Sequence, residues 1–414
     1  MDHIKMHEQV IEGIKVLYVH VPFSLNTHVG FFSLSGSFAE NEKNQGVSHY
    51  LEHLFFKGTK KRDLFMISED AALLGAEQNA YTSEYNTHYY LNVPKVNTEG
   101  AIELLCDMMF NPTFPEEEIE KERTVIQEER KMYEDDPKSS FFEASEMKFF
   151  GFQTGHKIVG TEETINSLTK EDFLDFHGRL YGKNTTILVI VGDIGIANIT
   201  YMCSKYLKNN PFKDNEIVRV EPVILAGSLE DFVFPRPNIQ QTYLMGLFSG
   251  KGIADKDRAK MVCMLNALGG GMYSPFFKEI REKLGLCYTV WAFDYIHNGI
   301  CSALGTYIQT DPSKVNLAKN KMIEIIDNVR KNGFDIKSFE CAKASQLGSF
   351  CRETSDVSRI ANIVGKHVTM GVNIDFAENY EGILNLTFDD VNEYASKNLP
   401  ESERICWSQM NPGE

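Results

Sequence analysis

No two cysteines of this chain stand in a CxxC spacing. The 8 cysteines are scattered singly from Cys106 to Cys406, which supports neither a zinc knuckle nor a disulfide framework and reads as free thiols in a reducing compartment. An unbroken apolar run of membrane-spanning length is also missing. The opening residues, MDHIKMHEQVIEGIK, carry acids before any apolar run. That fits neither a secretory signal nor an acid-poor transit peptide, so a cytoplasmic location is expected. Positive charge is scarce as well: 42 basic residues stand against 58 acidic ones, a formal net charge of −16. Phosphate backbones and anionic lipid surfaces would be repelled, so neither nucleic acid nor membrane is an expected partner.

What remains is ordinary globular material, 43% hydrophobic and 24% charged over 414 residues. That length suits two domains better than one core. Segments 14–21 and 28–37 are rich in β-branched and aromatic residues and read as strands. A helix is expected from about Ser48 to Lys57, stopped by Gly58. Residues 79–93 read as a hairpin turning near Glu84 to Asn86, 115–133 as a helix opening on Pro115 and three glutamates, and 184–194 as a compact buried strand. Residues 207–225 lose periodicity and carry two prolines. The expected division is therefore an N-terminal domain at 1–210, a linker at 211–225 and a C-terminal domain at 226–414. The second half loosely repeats the order, with strands at 240–250, 288–296 and 300–308 and helices from Asp257 and Ser313. Strands and helices mix without strict alternation, which favours an α+β class with two similar domains.

Five positions stand out: HYLEH, residues 49–53. Positions i and i+4 of a helix face the same way, so His49 and His53 present both imidazoles on one side. Two neutral ring nitrogens can share one Zn²⁺, and Glu52 lies close enough to that face to act as a general base. Composition alone yields roughly 0.04 such motifs by chance. The helix from Pro115 offers further ligands. Ile119, Ile126 and Tyr133 recur every seven residues, and Glu122 and Glu129 lie between them on that face. Carboxylates on a buried stripe are costly unless paired or metal-bound, so this face selects Glu129 or Glu122 over Glu128. Alternatively the stripe is Ile119, Val125, Ile126 and Met132, with both glutamates at its exposed edge.

In these segments the chain resembles the pitrilysin/insulinase family of metallopeptidases, the inverzincins, and most closely the short two-domain branch that includes mitochondrial processing peptidase. GVSHYLEHLFFKGTKKR (46–62) is similar to the family's inverted zinc helix, with its HxxEH order. EKERTVIQEERKMYEDDP (120–137) resembles the segment that brings the third ligand. The resemblance implies one Zn²⁺ per chain held by His49, His53 and Glu129, with Glu52 as general base and Glu122 orienting a histidine. GAEQNAYTSEYNTHYY (75–90) is similar to the family's edge strand, where a bound peptide adds as a further strand beside Asn79, Ala80, Tyr81 and Thr82. FKEIREKLGLCYTV (277–290) looks like the segment whose Arg281 and Tyr288 would reach the substrate carbonyl and the developing oxyanion. One departure is the pair Glu84 and Tyr85, where the family commonly has a basic residue followed by Glu.

The function implied is a zinc endopeptidase cleaving extended peptides. Two such halves imply half of a clamshell, completed in a homodimer or in a heterodimer with a related subunit. One alternative is a catalytically silent member with a structural or peptide-presenting role, although all four positions of the zinc motif and base are filled here. Another is a zinc hydrolase acting on small amides, which would not need the peptide-binding strand. The remaining histidines are read as structural or exposed, and His88, in the hairpin after the edge strand, is the one to check for proximity to a bound peptide.

Overall fold

The computed structural model describes residues 4–215, 217, 231–296 and 301–413. The first sheet comprises β1 (Lys5–Ile11), β2 (Ile14–His20), β3 (Asn26–Ser33), β4 (Glu77–Thr82), β5 (Thr87–Pro94) and β6 (Thr186–Gly192), in the order β1-β2-β6-β3-β5-β4. Only β2 and β6 run parallel. The β1–β2 turn is Glu12-Gly13, both at positive φ, which matches the twist of a two-residue hairpin. All of β6 is buried, as a central strand covered on both faces requires. At the other end β4 pairs with β5 alone and leaves its second side open among the described residues.

The second sheet comprises β7 (Phe232–Arg236), β8 (Thr242–Lys251), β9 (Cys287–Ile296), β10 (Cys301–Thr310) and β11 (Cys406–Pro412), in the order β7-β11-β8-β10-β9. Among the described residues it also holds a single parallel pair, β7 with β11. Two mixed sheets, each packed by helices, make this an α+β protein.

Five helices of the first half matter below: α1 (Val47–Leu54), α2 (Leu64–Leu73), α3 (Thr98–Phe110), α4 (Glu116–Asp135) and α5 (Pro137–Phe150). One face of the first sheet, with Val29, Phe31, Tyr89 and Leu91, packs against Val47, Tyr50 and Leu51 of α1 and Ile102 and Leu105 of α3. The opposite face is covered by the helix Val357–Thr369, far along the chain. There Gly365 is required: a Cβ on it would stand 2.2 Å from the Phe32 ring.

The compact units are consequently not contiguous in sequence. One holds Met1–Tyr133, His156–Val220 and Glu353–Ile374; the other holds Glu134–Gly155, Glu221–Arg352 and Asp375–Glu414. In the second unit α5 places Phe141, Phe149 and Phe150 against Tyr243, Met245 and Tyr307 of the second sheet. Each sheet thus borrows the helix for one face from the opposite half of the chain, across the expected division at 211–225. Of those linker residues, only 211–215 and 217 are described.

Candidate metal centre

The helix α1 begins at Gly46, which adopts φ +86, and its first turn buries Val47, Ser48 and His49. It is shorter than its sequence suggests, ending at Leu54 instead of running to Lys57. Beyond Leu54 the backbone tightens, Phe56 N–H bonding to His53 O and Lys57 N–H to Leu54 O, before the bridge at Gly58. Tyr50 ties α1 to α4 by donating its hydroxyl to Ile119 O at 2.5 Å.

That contact brings the glutamates of α4 over the histidines. Nε2 of His49 and Nε2 of His53 each lie 3.6 Å from Oε2 of Glu129. One donor atom from each of these three residues falls within 4.8 Å of the others. At 3.6 Å the pairs are too long for hydrogen bonds. A tetrahedral site with donors about 2.0–2.1 Å from zinc has an edge of roughly 3.3 Å, close to this spacing. On the far side of the ring, Nδ1 of His53 is 2.9 Å from Glu122 Oε2. In the neutral ring, with that nitrogen donating to Glu122, Nε2 presents its lone pair to the Glu129 carboxylate. Two electron-pair donors facing one another fit a shared cation, so the residues present suit a zinc ion.

The electrostatics point the same way. Burial opposes charge on His53, but the hydrogen bond to Glu122 and the nearby carboxylates of Glu129 and Glu52 outweigh it, lifting the imidazole to about 9. Burial and the neighbouring His53 instead press His49 down to about 4. The cluster therefore concentrates negative field around one point, where a positive charge is stabilised. Glu122 is itself held below the usual carboxylate range: burial would raise it, yet His53 and Lys57 prevail. Nζ of Lys57 is 2.5 Å from Glu122 Oε1. Lys57 marks only the end of the expected helix, and its partner, 65 positions onward, leaves no local signal.

Glu52 lies on the same helix, raised above the ordinary carboxyl value by burial, with a hydrogen bond from Thr82 opposing the shift. Oγ1 of Thr82 donates to Glu52 Oε2 at 2.6 Å. Of the other β4 residues, Asn79 is exposed and Ala80 packs on the first core. Tyr81 turns to the opposite face, its ring on His88 and its hydroxyl 3.3 Å from Asn362 Oδ1. His88 is fully buried there, Nε2 to Nε2 at 3.3 Å from His28 and stacked on Phe32. That is a core position, as the structural reading of this histidine expects. Glu128 is exposed and paired with Lys131. Arg281 and Tyr288 belong to the second unit, where the guanidinium lies 4.8 Å over the Tyr288 ring and the tyrosine is 79% exposed.

Residues 15–162 match the family model for insulinase (peptidase family M16), and residues 167–346 match that for the peptidase M16 inactive domain. A Streptomyces coelicolor protein named as an uncharacterized zinc protease is 29% identical over 394 residues, covering 92% of this chain and 84% of its own. A similarly named Bacillus subtilis protein is 27% identical over 368 residues, covering 86% and 88%. Among solved structures, a protease from Helicobacter pylori superposes with a TM-score of 0.89 at 18% identity, covering 99% of this chain and all of its own. A peptidase M16 inactive domain from Pseudomonas fluorescens gives 0.89 at 19%, covering 99% and 98%. At such identities these structures establish the fold. With the two domain types in tandem and relatives matched along nearly their whole length, the chain belongs to the insulinase family of peptidases, family M16.

Proposed function

We propose that the protein is a zinc-dependent endopeptidase acting on extended or unstructured peptides. The observation that carries this reading is the cluster of His49, His53 and Glu129 donor atoms, with the buried carboxyl of Glu52 on the same short helix. One zinc ion per chain, held by those three side chains, supplies Lewis acidity toward a scissile carbonyl and toward water. Glu52 takes the proton of the attacking water and returns it to the leaving amine; its raised pKa brings both transfers closer to neutral pH. Thr82 fixes the carboxylate that does so.

Substrate joins the open side of β4 as an added strand, paired through main-chain groups near Asn79 and Ala80. An added strand must arrive extended, which favours peptides and unfolded segments over intact globular proteins. Arg281 and Tyr288, stacked as a pair, are assigned to the developing oxyanion. A second copy of the chain, or a related subunit, completes the substrate chamber. The relatives' names as zinc proteases support the reading. The catalytically silent alternative is disfavoured because both histidines, Glu129 and Glu52 are all retained.

The test is cleavage of an internally quenched, unstructured peptide beside a small chromogenic amide, each with and without a chelator. Chelator-sensitive, zinc-restorable cleavage of the peptide alone is expected. Chelator-insensitive cleavage, or cleavage of the small amide only, contradicts the proposal.

A further inference from the structure

The two histidines of the motif are held differently. His53 has Glu122 against its Nδ1. His49 has no such support: its Nδ1 is buried and finds no hydrogen-bond partner among the described residues. The direction of the His49 ring must then come from the backbone that carries it. That backbone is anchored from outside the helix. Gly46, at the helix start, has no side chain to cap with. Instead Glu40 accepts the Gly46 N–H on Oε2 at 2.8 Å and the Ser48 N–H on Oε1 at 2.9 Å, the latter one residue before His49.

Behind Glu40 stands His156, its Nε2 3.0 Å from Glu40 Oε2, with the two side chains 1% and 0% exposed respectively. A helix start needs only a Ser, Thr, Asp or Asn at its first position to satisfy its amides. Burying a carboxylate and an imidazole completely is far more demanding, and it is tolerated where geometry must be specified. The chain crossing behind the helix is equally constrained. A Cβ on Gly46 would stand 2.6 Å from Val159 O, and one on Gly160 2.7 Å from Gln45 O, with both glycines at positive φ. Segment 156–160 is thus seated against the start of α1 with no slack for any side chain.

We propose that Glu40, backed by His156, is a positioning residue of the metal centre. It does for His49, through two backbone amides, what Glu122 does for His53 through its ring. Neither residue touches the metal or substrate. The inference rests on the zinc reading above and adds to it a requirement some nine residues upstream of the first ligand.

The experiment compares zinc affinity, by competition with a chromogenic chelator, in the full-length protein and in Glu40→Gln, His156→Asn and Thr169→Val. The last removes a cap of similar kind from the helix Lys170–Leu180, so it reports what loss of a helix cap does by itself. Unfolding midpoints of the metal-stripped proteins are read alongside. Glu40→Gln and His156→Asn should weaken zinc fivefold or more, in line with losing an outer partner of a metal ligand. Thr169→Val should lower the midpoint and leave zinc affinity within twofold. The inference is overturned if the first two variants weaken zinc less than fivefold, or if Thr169→Val weakens it as much as they do. Should Glu40→Gln not fold, His156→Asn decides by the same threshold. A wild-type protein that takes up no zinc removes the metal reading itself, and this inference with it.

Discussion

Nδ1 of His53 lies 2.9 Å from Oε2 of Glu122, and the other oxygen of that carboxylate lies 2.5 Å from Nζ of Lys57. The orientation of the His53 nitrogen that faces Glu129 is therefore set by a charged chain running away from the site. Glu122→Gln should reduce zinc affinity about 10–100-fold while leaving the fold intact. Chelator competition measures the first and far-UV circular dichroism the second. Unchanged affinity would mean that Glu122 only shields Lys57.

Glu52 is separable from the ligands. Its carboxylate is held by Thr82 and raised by burial, so Glu52→Gln should keep zinc uptake and lower peptide turnover by about 10²–10⁴-fold. Single-turnover cleavage beside metal analysis distinguishes this from a ligand variant. Loss of zinc in Glu52→Gln would assign the residue to coordination instead.

The buried His28 titrates in the opposite sense from His53. Burial holds it down at about 4, against about 6.5 in an unfolded chain. The unfolded chain takes up a proton that the folded one refuses, so this contribution to stability is complete above about pH 6.5 and is lost as pH falls toward about 4. Its full size is up to about 3 kcal/mol. Urea unfolding between pH 7 and 4.5 should therefore be less pH-dependent in His28→Gln than in wild type. Equal slopes would contradict the assignment. His88, pushed down by burial and then by His28, adds in the same direction.

The exchanged helices make a prediction about the segment expected as a linker. A specific protease site inserted within 211–225 should yield, after cleavage, two pieces that co-elute under native conditions. The earlier piece carries α5, which covers the second sheet, and the later piece carries the helix Val357–Thr369, which covers the first. Separation of the pieces on size exclusion without denaturant would show that these helices do not hold the halves together.

Much of this was legible in the sequence where the determinants are local. The seven-residue stripe of α4 is one such case for two of its three marks: Ile119 and Ile126 are in the core and Glu122 with them, while Tyr133 is 36% exposed and Val125 and Met132 of the alternative stripe are 49% and 58% exposed. The strands at 186–192 and 287–296 likewise follow from β-branched and aromatic runs. What was not legible depends on distant partners. The exposed residues of β1 give no clean alternation, and β11 is defined by pairing with β7 and β8, each more than 150 residues earlier. The sequence of α5 carries almost no amphipathic signal, so neither its buried face nor the sheet that receives it can be read from it. The same holds for Glu40 and His156, 116 positions apart, whose meeting no spacing rule announces.

The central claim is that His49, His53 and Glu129 hold one zinc ion, and zinc content after exhaustive dialysis tests it most directly. Wild type and Glu128→Ala should each retain one zinc per chain, since Glu128 is exposed and bound to Lys131, whereas Glu129→Ala should retain almost none. Equal zinc in all three proteins, or its loss in Glu128→Ala with retention in Glu129→Ala, would contradict the account.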